Sequence, residues 1–260
     1  MNRHSLWIIG LLAAGASFGE ITTEPLAYQA DGRAMAGYLA YPKDAAKGAA
    51  AVLVFPEWKG LDEYAKRRAR ELAELGYVVL AADMYGEGKT AKDNQEAAAL
   101  AGALKAGDRA DMRKRAGAAL EALKKHPLAD PGRTGAIGYC FGGTVALELA
   151  RSGADVRGVV SFHGGLDTAR PRETRGVKAA VLILHGADDP TVPKEAVDGI
   201  QDEMREAGAD WQMVFYGNAV HSFSNPDSGS DKTKGVKYDA KADKRSWSLM
   251  KSFLADALTP

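Results

Sequence analysis

The chain has 260 residues, 46% of them hydrophobic and 26% charged, enough to bury one large core in a single domain. Lysine plus arginine and aspartate plus glutamate balance at 34 each, so no net field draws the chain to nucleic acid or to an anionic membrane surface, and the expected partner is a small molecule. The single cysteine, Cys140, excludes an intramolecular disulfide.

The first segment, residues 1–19, carries Arg3 and His4, then the apolar run Leu6–Leu12, then small residues that offer cleavage after Ala16 or Gly19. It reads as a secretory signal peptide, which makes the mature protein exported, periplasmic or secreted. A membrane anchor is the competing reading, but about 13 apolar or small residues fall short of the roughly 20 that a spanning helix needs. Residues 20–260 then form one domain.

Leu26, Ala27 and Tyr28, a turn at Asp31-Gly32 and the run Met35–Tyr41 predict an antiparallel hairpin at a sheet edge. Beyond it, short apolar runs alternate with amphipathic segments. Ala51–Phe55, Val78–Ala82, Thr134–Gly138, Val159–Phe162, Val181–Leu184 and Gln212–Tyr216 read as buried strands. Leu61, Ala65, Ala69 and Leu72 keep helical spacing up to Gly76, as do Met112, Ala116, Leu120 and Leu123 before Pro127. Further helices are expected from about Phe141 to Ala150, over Val192–Ala207 and over Ser246–Leu258. The fold class is therefore α/β, a mostly parallel sheet with helices on both faces. Gly86–Asn94 reads as an irregular piece at the carboxyl edge of the sheet, where ligands bind in open α/β folds, and Pro226–Asp239 as a surface loop.

The strongest local signal is Gly138-Tyr139-Cys140-Phe141-Gly142-Gly143, placed between a strand and a helix. This is a nucleophile elbow with cysteine in place of serine. The turn is so sharp that side chains two residues before and two after the nucleophile would collide, and glycine at both places removes the collision. The following helix points its N-terminus at the sulfur and favours the thiolate. On its own the pattern is short, and a tight glycine turn around a small buried cysteine is the plain alternative.

Two partners follow in the chain order of an α/β-hydrolase. After Val181–Leu184 comes His185-Gly186-Ala187-Asp188-Asp189-Pro190-Thr191-Val192-Pro193, where either Asp188 or Asp189 could hold an imidazole in one tautomer. Asp189 is favoured. The base candidate is His221, in the loop between the last strand and the C-terminal helix. His163 and His185 lie at strand ends, where His163 would line the pocket. A metal site built from His163, His185 and His221 lacks any paired ligand spacing, and no metal or cofactor is expected.

Together these motifs resemble the dienelactone hydrolase family, whose members carry a cysteine elbow, a G-x-x-D-x-x-V-P segment and a histidine followed by Ser-Phe. The resemblance extends through Phe55-Pro56-Glu57-Trp58-Lys59-Gly60, Gly76-Tyr77-Val78-Val79 and Ala82-Asp83-Met84-Tyr85. It implies an α/β-hydrolase fold, with Cys140 as nucleophile, Asp189 as acid and His221 as base. It also implies a role for Glu57, as the carboxylate that contacts the resting cysteine; the alternative is a cap on the following helix. The oxyanion hole would be the backbone N–H groups of Phe141 and Trp58. The best known members hold the substrate carboxylate with arginines after the Ala-Asp-Leu-Tyr and His-Ser-Phe segments. Here those places read Tyr85-Gly86-Glu87-Gly88 and Phe223-Ser224-Asn225, so an uncharged ester or lactone is expected unless Lys59 or Lys89 compensates. The alternative of another class is a catalytically silent scaffold that binds a small ligand or partner.

Overall fold

The computed structural model of the chain describes residues 19–169 and 176–259; all of the expected leader except Gly19 lies outside them. Among the described residues, no helix is long and apolar enough to cross a membrane.

Eight strands form one sheet in the order β1-β2-β4-β3-β5-β6-β7-β8. The expected hairpin is β1 (Ile21–Ala30) and β2 (Arg33–Pro42), paired antiparallel around Asp31-Gly32, and β2 also runs antiparallel to β4 (Val78–Ala81). All the other pairs, through β3 (Ala49–Phe55), β5 (Ala129–Tyr139), β6 (Gly158–Phe162), β7 (Ala180–Gly186) and β8 (Trp211–Tyr216), are parallel. The central strands read as unbroken apolar runs because both faces of the sheet are covered. Successive residues of β3 alternate between two cores: Ala51, Leu53 and Phe55 face one, Val52 and Val54 the other.

The first core is closed by α2 (Asn94–Lys105), α3 (Ala110–Lys124), α4 (Phe141–Arg151) and α5 (Lys194–Ala207), and the second by α1 (Glu63–Ala73) and α6 (Ala240–Ala257). Inside the first layer the fully buried Glu148 carboxylate takes Arg113 at 2.8 Å and Arg109 and Arg151 at 3.2 Å, binding α3 to α4. Burying one carboxylate is tolerable here because three guanidinium groups meet it.

Two helices depart from the sequence expectation. Residues after Asn94 form α2, an alanine-rich helix with a weak apolar stripe, started by Asp93, whose side chain accepts the Glu96 N–H at 2.8 Å. The C-terminal helix begins at Ala240 rather than Ser246, because Asp239 accepts the N–H groups of Lys241 and Ala242.

The reversal from β5 into α4 leaves no room for side chains at its flanks. A Cβ on Gly138 would stand 1.9 Å from the Gly142 carbonyl oxygen, and one on Gly142 would stand 2.1 Å from that of Phe55. Gly138→Ala is therefore expected to lose about 3 kcal/mol or more in urea unfolding, since the obstructing atoms are backbone. Gly102→Ala, mid-helix in α2 with nothing within 4 Å of its Cβ, should gain about 0.5–1 kcal/mol. Equal stabilities for the two variants would contradict the steric account of the elbow.

Candidate active site

Three loops at the carboxyl edge of the sheet bring the candidates together. Cys140 sits between β5 and α4 with φ 52° and ψ −115°, a backbone strained for any residue with a Cβ. His221 follows β8, and its Nε2 lies 3.0 Å from the Cys140 sulfur. Asp189 follows β7, and its Oδ2 lies 2.8 Å from His221 Nδ1. Of the two aspartates, Asp188 is solvent-exposed, whereas Asp189 is buried and reaches the imidazole.

Thr191 completes this chain and was not singled out from the sequence. Its backbone N–H and its hydroxyl both donate to Asp189 Oδ1, at 2.8 and 2.7 Å, and the hydroxyl oxygen lies 2.9 Å from His221 Nδ1. Burial works to raise the Asp189 carboxyl, but the hydrogen bond and charge of His221, with the two bonds from Thr191, hold it below its ordinary value. Burial likewise works against a charged His221; Cys140 and the hydrogen bonds to Asp189 and Cys140 outweigh it and raise the imidazole to about 10. These contacts favour the imidazole as an acceptor of a proton from the sulfur.

The segment read as a surface loop at Pro226–Asp239 is largely exposed and also docks on His221. The His221 N–H donates to the Gly235 carbonyl at 3.2 Å, and the Lys237 N–H donates to the His221 carbonyl at 3.1 Å, forming a parallel bridge with Val236. Asp227, Ser228, Lys234 and Val236 from this segment line a cavity of about 620 Å³ together with Glu57, Trp58, Lys59, Cys140, Thr191 and His221. Of the lysines proposed to compensate for missing arginines, Lys59 lines the cavity, whereas Lys89 is paired with Glu96 at 3.0 Å.

Glu57 is buried at the cavity wall and does not cap α1; Asp62 does, accepting the Ala65 N–H at 3.1 Å. Its carboxylate accepts from Ser222 Oγ at 3.1 Å and from Asn225 Nδ2 at 2.8 Å. The expected contact with the resting cysteine is replaced in this structure, since the sulfur is turned to His221. Phe141 is the first residue of α4, so its N–H has no partner within the helix. The Tyr85 hydroxyl donates to the Trp58 carbonyl at 2.6 Å and fixes that peptide, while the Tyr85 ring stacks on Phe141.

His163, expected to line the pocket, is instead fully buried beneath the elbow. Its ring nitrogens meet the Cys140 N–H and Ser224 Oγ. His185 packs edge-on against Phe215 and lines a different cavity. Among the described residues, no group of three or more His, Cys, Asp or Glu side chains is placed to hold a metal ion.

The family model described as the dienelactone hydrolase family matches residues 35–258. A solved structure of a dienelactone hydrolase-like promiscuous phosphotriesterase from metagenomic libraries is 40% identical, with a TM-score of 0.86 over 93% of this chain and 100% of its own. An uncharacterised protein of Caenorhabditis elegans is 40% identical over 153 residues, 56% of this chain and 94% of its own length. A Bradyrhizobium protein described as a "probable 2-oxo-3-(5-oxofuran-2-ylidene)propanoate lactonase" is 28% identical over 202 residues, 74% of this chain and 80% of its own.

Burial pushes the Glu57 carboxyl up, and the hydrogen bond from Asn225 and the charge of His221 offset this only in part. A carboxyl whose folded-state pKa lies above its unfolded value stabilises the fold below the unfolded value and loses that contribution as pH rises through the interval. Glu57→Gln should therefore melt at a higher temperature than the wild type at pH 7, with the gap closing as pH falls below the ordinary value of 4.5. A gap that widens on acidification would reverse this assignment.

Proposed function

The chain belongs to the dienelactone hydrolase family, and from that premise we infer that it hydrolyses small uncharged esters or lactones through Cys140, His221 and Asp189. The observation that carries this reading is the unbroken path from the Cys140 sulfur through both nitrogens of His221 to the Asp189 carboxylate, at 3.0 and 2.8 Å. It opens on a cavity large enough for a small ester.

In the proposed reaction, the Cys140 sulfur gives its proton to His221 Nε2 and attacks the substrate carbonyl carbon. The oxygen takes the negative charge, facing the N–H groups of Phe141 and Trp58. Collapse of this intermediate breaks the bond to the alkoxide, which takes the proton from His221 and leaves a thioester on Cys140. Water then gives a proton to His221 and attacks the thioester, releasing the carboxylic acid while the proton returns to sulfur. Asp189, steadied by Thr191, holds the imidazole in one orientation throughout.

The preference for an uncharged substrate rests on the cavity wall. Glu57, Asp62 and Asp227 line it, while the side-chain amide of Asn225 is committed to Glu57. The lysines that line it, Lys59 and Lys234, are exposed, so a carboxylate seated beside Glu57 would be desolvated without a buried lysine or arginine to meet it. The solved relative described as a promiscuous phosphotriesterase supports a neutral phosphotriester as an additional substrate, since the same sulfur can attack phosphorus. The leader-like residues 1–19 support action outside the cytoplasm, which the N-terminal residue of the protein recovered from its source would decide.

With p-nitrophenyl acetate, Cys140→Ala should lower kcat/KM by about a thousandfold or more. The wild type should turn over a neutral five-membered lactone at least about tenfold more efficiently than a lactone bearing a carboxylate. Equal activity of wild type and Cys140→Ala would favour the silent scaffold, and preference for the carboxylate would assign Lys59 or Lys234 the missing cationic role.

A further inference from the structure

The elbow explains why a cysteine stands at the carboxyl edge of the sheet but not what holds its strained backbone in place. The Cys140 N–H points away from the cavity, into the protein, and donates to two acceptors. One is the carbonyl oxygen of Phe162 at 3.0 Å; the other is the Nδ1 of His163 at 3.1 Å. The His163 backbone N–H in turn donates to the Leu184 carbonyl of β7 at 2.9 Å, so the main chain that carries the ring is tied to the sheet.

An imidazole that accepts at Nδ1 carries its hydrogen on Nε2. That hydrogen goes to Ser224 Oγ, 2.7 Å away. The Ser224 hydroxyl passes its own hydrogen to Tyr64 Oη at 2.8 Å, and the Tyr64 hydroxyl donates to the Ser224 carbonyl at 3.2 Å. Arg68 also donates to that carbonyl, at 2.9 Å, and is held by Asp243. Every hydrogen in this buried chain has one consistent direction, and it leaves the His163 Nδ1 lone pair free for the nucleophile's backbone. A protonated ring would aim an N–H at the Cys140 N–H.

The same ring stands edge to face with His221, the centroids 5.4 Å apart. Around it lie Tyr139 from β5, Cys140 at the elbow, Tyr64 and Arg68 from α1, His221 after β8, and Asp189 beyond His221. Burial, then the charge of His221, holds His163 well below its ordinary pKa, which Asp189 opposes and Arg68 reinforces. Two charged imidazoles at this separation in a buried site would repel strongly, so one of the pair must stay neutral for the other to carry the proton.

We propose that His163 is a positioning residue for the nucleophile: Ser224 locks it as the neutral Nε2–H tautomer, in which it accepts the Cys140 N–H and leaves the His221 charge unopposed. The inference rests on the reading of Cys140 as nucleophile. It assigns work to a histidine that touches neither substrate nor the reacting sulfur. Losing the Nδ1 acceptor relaxes the elbow and draws sulfur away from His221 Nε2. Losing the Ser224 hydroxyl frees the ring to adopt the Nδ1–H form, which pushes the Cys140 N–H away.

The test is the pH dependence of iodoacetamide alkylation, which reads Cys140 alone because the chain has no other thiol, together with kcat and KM for p-nitrophenyl acetate. His163→Asn keeps an acceptor near the Nδ1 position and tolerates the backbone φ of 40° at this residue. His163→Leu removes the acceptor, and Ser224→Ala leaves both backbones untouched. His163→Asn should alkylate with the wild-type pH profile. In His163→Leu and Ser224→Ala the half-maximal pH should rise by about one unit, with kcat falling about tenfold and KM changing less than about twofold. Identical profiles for His163→Asn and His163→Leu would overturn the proposal and make the ring a space-filler, as would a wild-type profile for Ser224→Ala. Should His163→Leu not fold, Ser224→Ala and His163→Asn decide the matter by themselves. Alkylation reads the thiol whether or not the thiol is the nucleophile. Failure of the triad reading would therefore appear separately, as ester hydrolysis surviving in Cys140→Ala.

Discussion

Where β3, β5 and the start of α4 converge, backbone meets backbone: the position of a Cβ on Gly142 lies 2.1 Å from the Phe55 carbonyl oxygen and 2.6 Å from that of Pro56. No side chain fits there, and the chain can reverse from strand into helix only within that restriction. The strain of the reversal falls on Cys140, at φ 52°, and it persists because the surroundings over-determine it. The Cys140 carbonyl accepts from Gly143 and Thr144, and its N–H is held by Phe162 and His163. The close approach to Phe55-Pro56 also delivers Glu57 and Trp58 to the same edge. A single steric constraint thereby sets the sulfur, one wall of the cavity and both expected oxyanion donors relative to one another.

Electrostatics then separates two carboxylates that burial alone would treat alike. Asp189 faces an imidazole raised to about 10 and accepts twice from Thr191, so its carboxyl is held low despite burial. Glu57 faces only the neutral donors Ser222 and Asn225 directly, and burial prevails. The first environment stabilises a fixed negative charge beside the His221 imidazole, and the second leaves a carboxyl that ionises reluctantly. Each condition follows from which side chain the loop after β7 or after β8 happens to present.

How much of this was legible in the sequence depended on whether the signal was local. The parallel strands announced themselves as apolar runs because they are buried on both faces. Gly138 and Gly142 marked the elbow because the steric demand acts at fixed spacing. Helix α2 escaped because its alanine-rich surface carries little apolar contrast, although the Asp93-x-x-Glu96 spacing, in which Asp93 accepts the Glu96 N–H and Glu96 accepts the Lys92 N–H, would have marked its start. The segment 226–239 looked like a solvated loop since its composition is polar. What it does, bridging to His221 through Gly235 and Lys237, depends on main-chain atoms that composition does not report. His163 stood at a strand end, yet its role comes from Ser224, 61 residues away; Thr191 bonds Asp189 two residues before it but also meets His221, 30 residues away, a relation that no short window of sequence contains.

The position of Asn225 connects substrate choice to the state of Glu57. The resemblance implies an arginine shortly after the His-Ser-Phe segment, the neighbourhood in which Asn225 stands, and an arginine at the distance Asn225 keeps from Glu57 would serve a substrate carboxylate and also hold that carboxyl ionised. Asparagine does neither. Its Nδ2 donates to Glu57 at 2.8 Å without contributing charge, so Glu57 is left with only the partial offset that His221 supplies. An anionic substrate would then meet a carboxyl already raised by burial, and each negative group would oppose ionisation of the other. A neutral ester leaves Glu57 in the environment that the fold provides. Under the proposed function, selectivity against charge would reside in the Glu57–Asn225 pair, and restoring an arginine at one position without regard to the other would shift both at once.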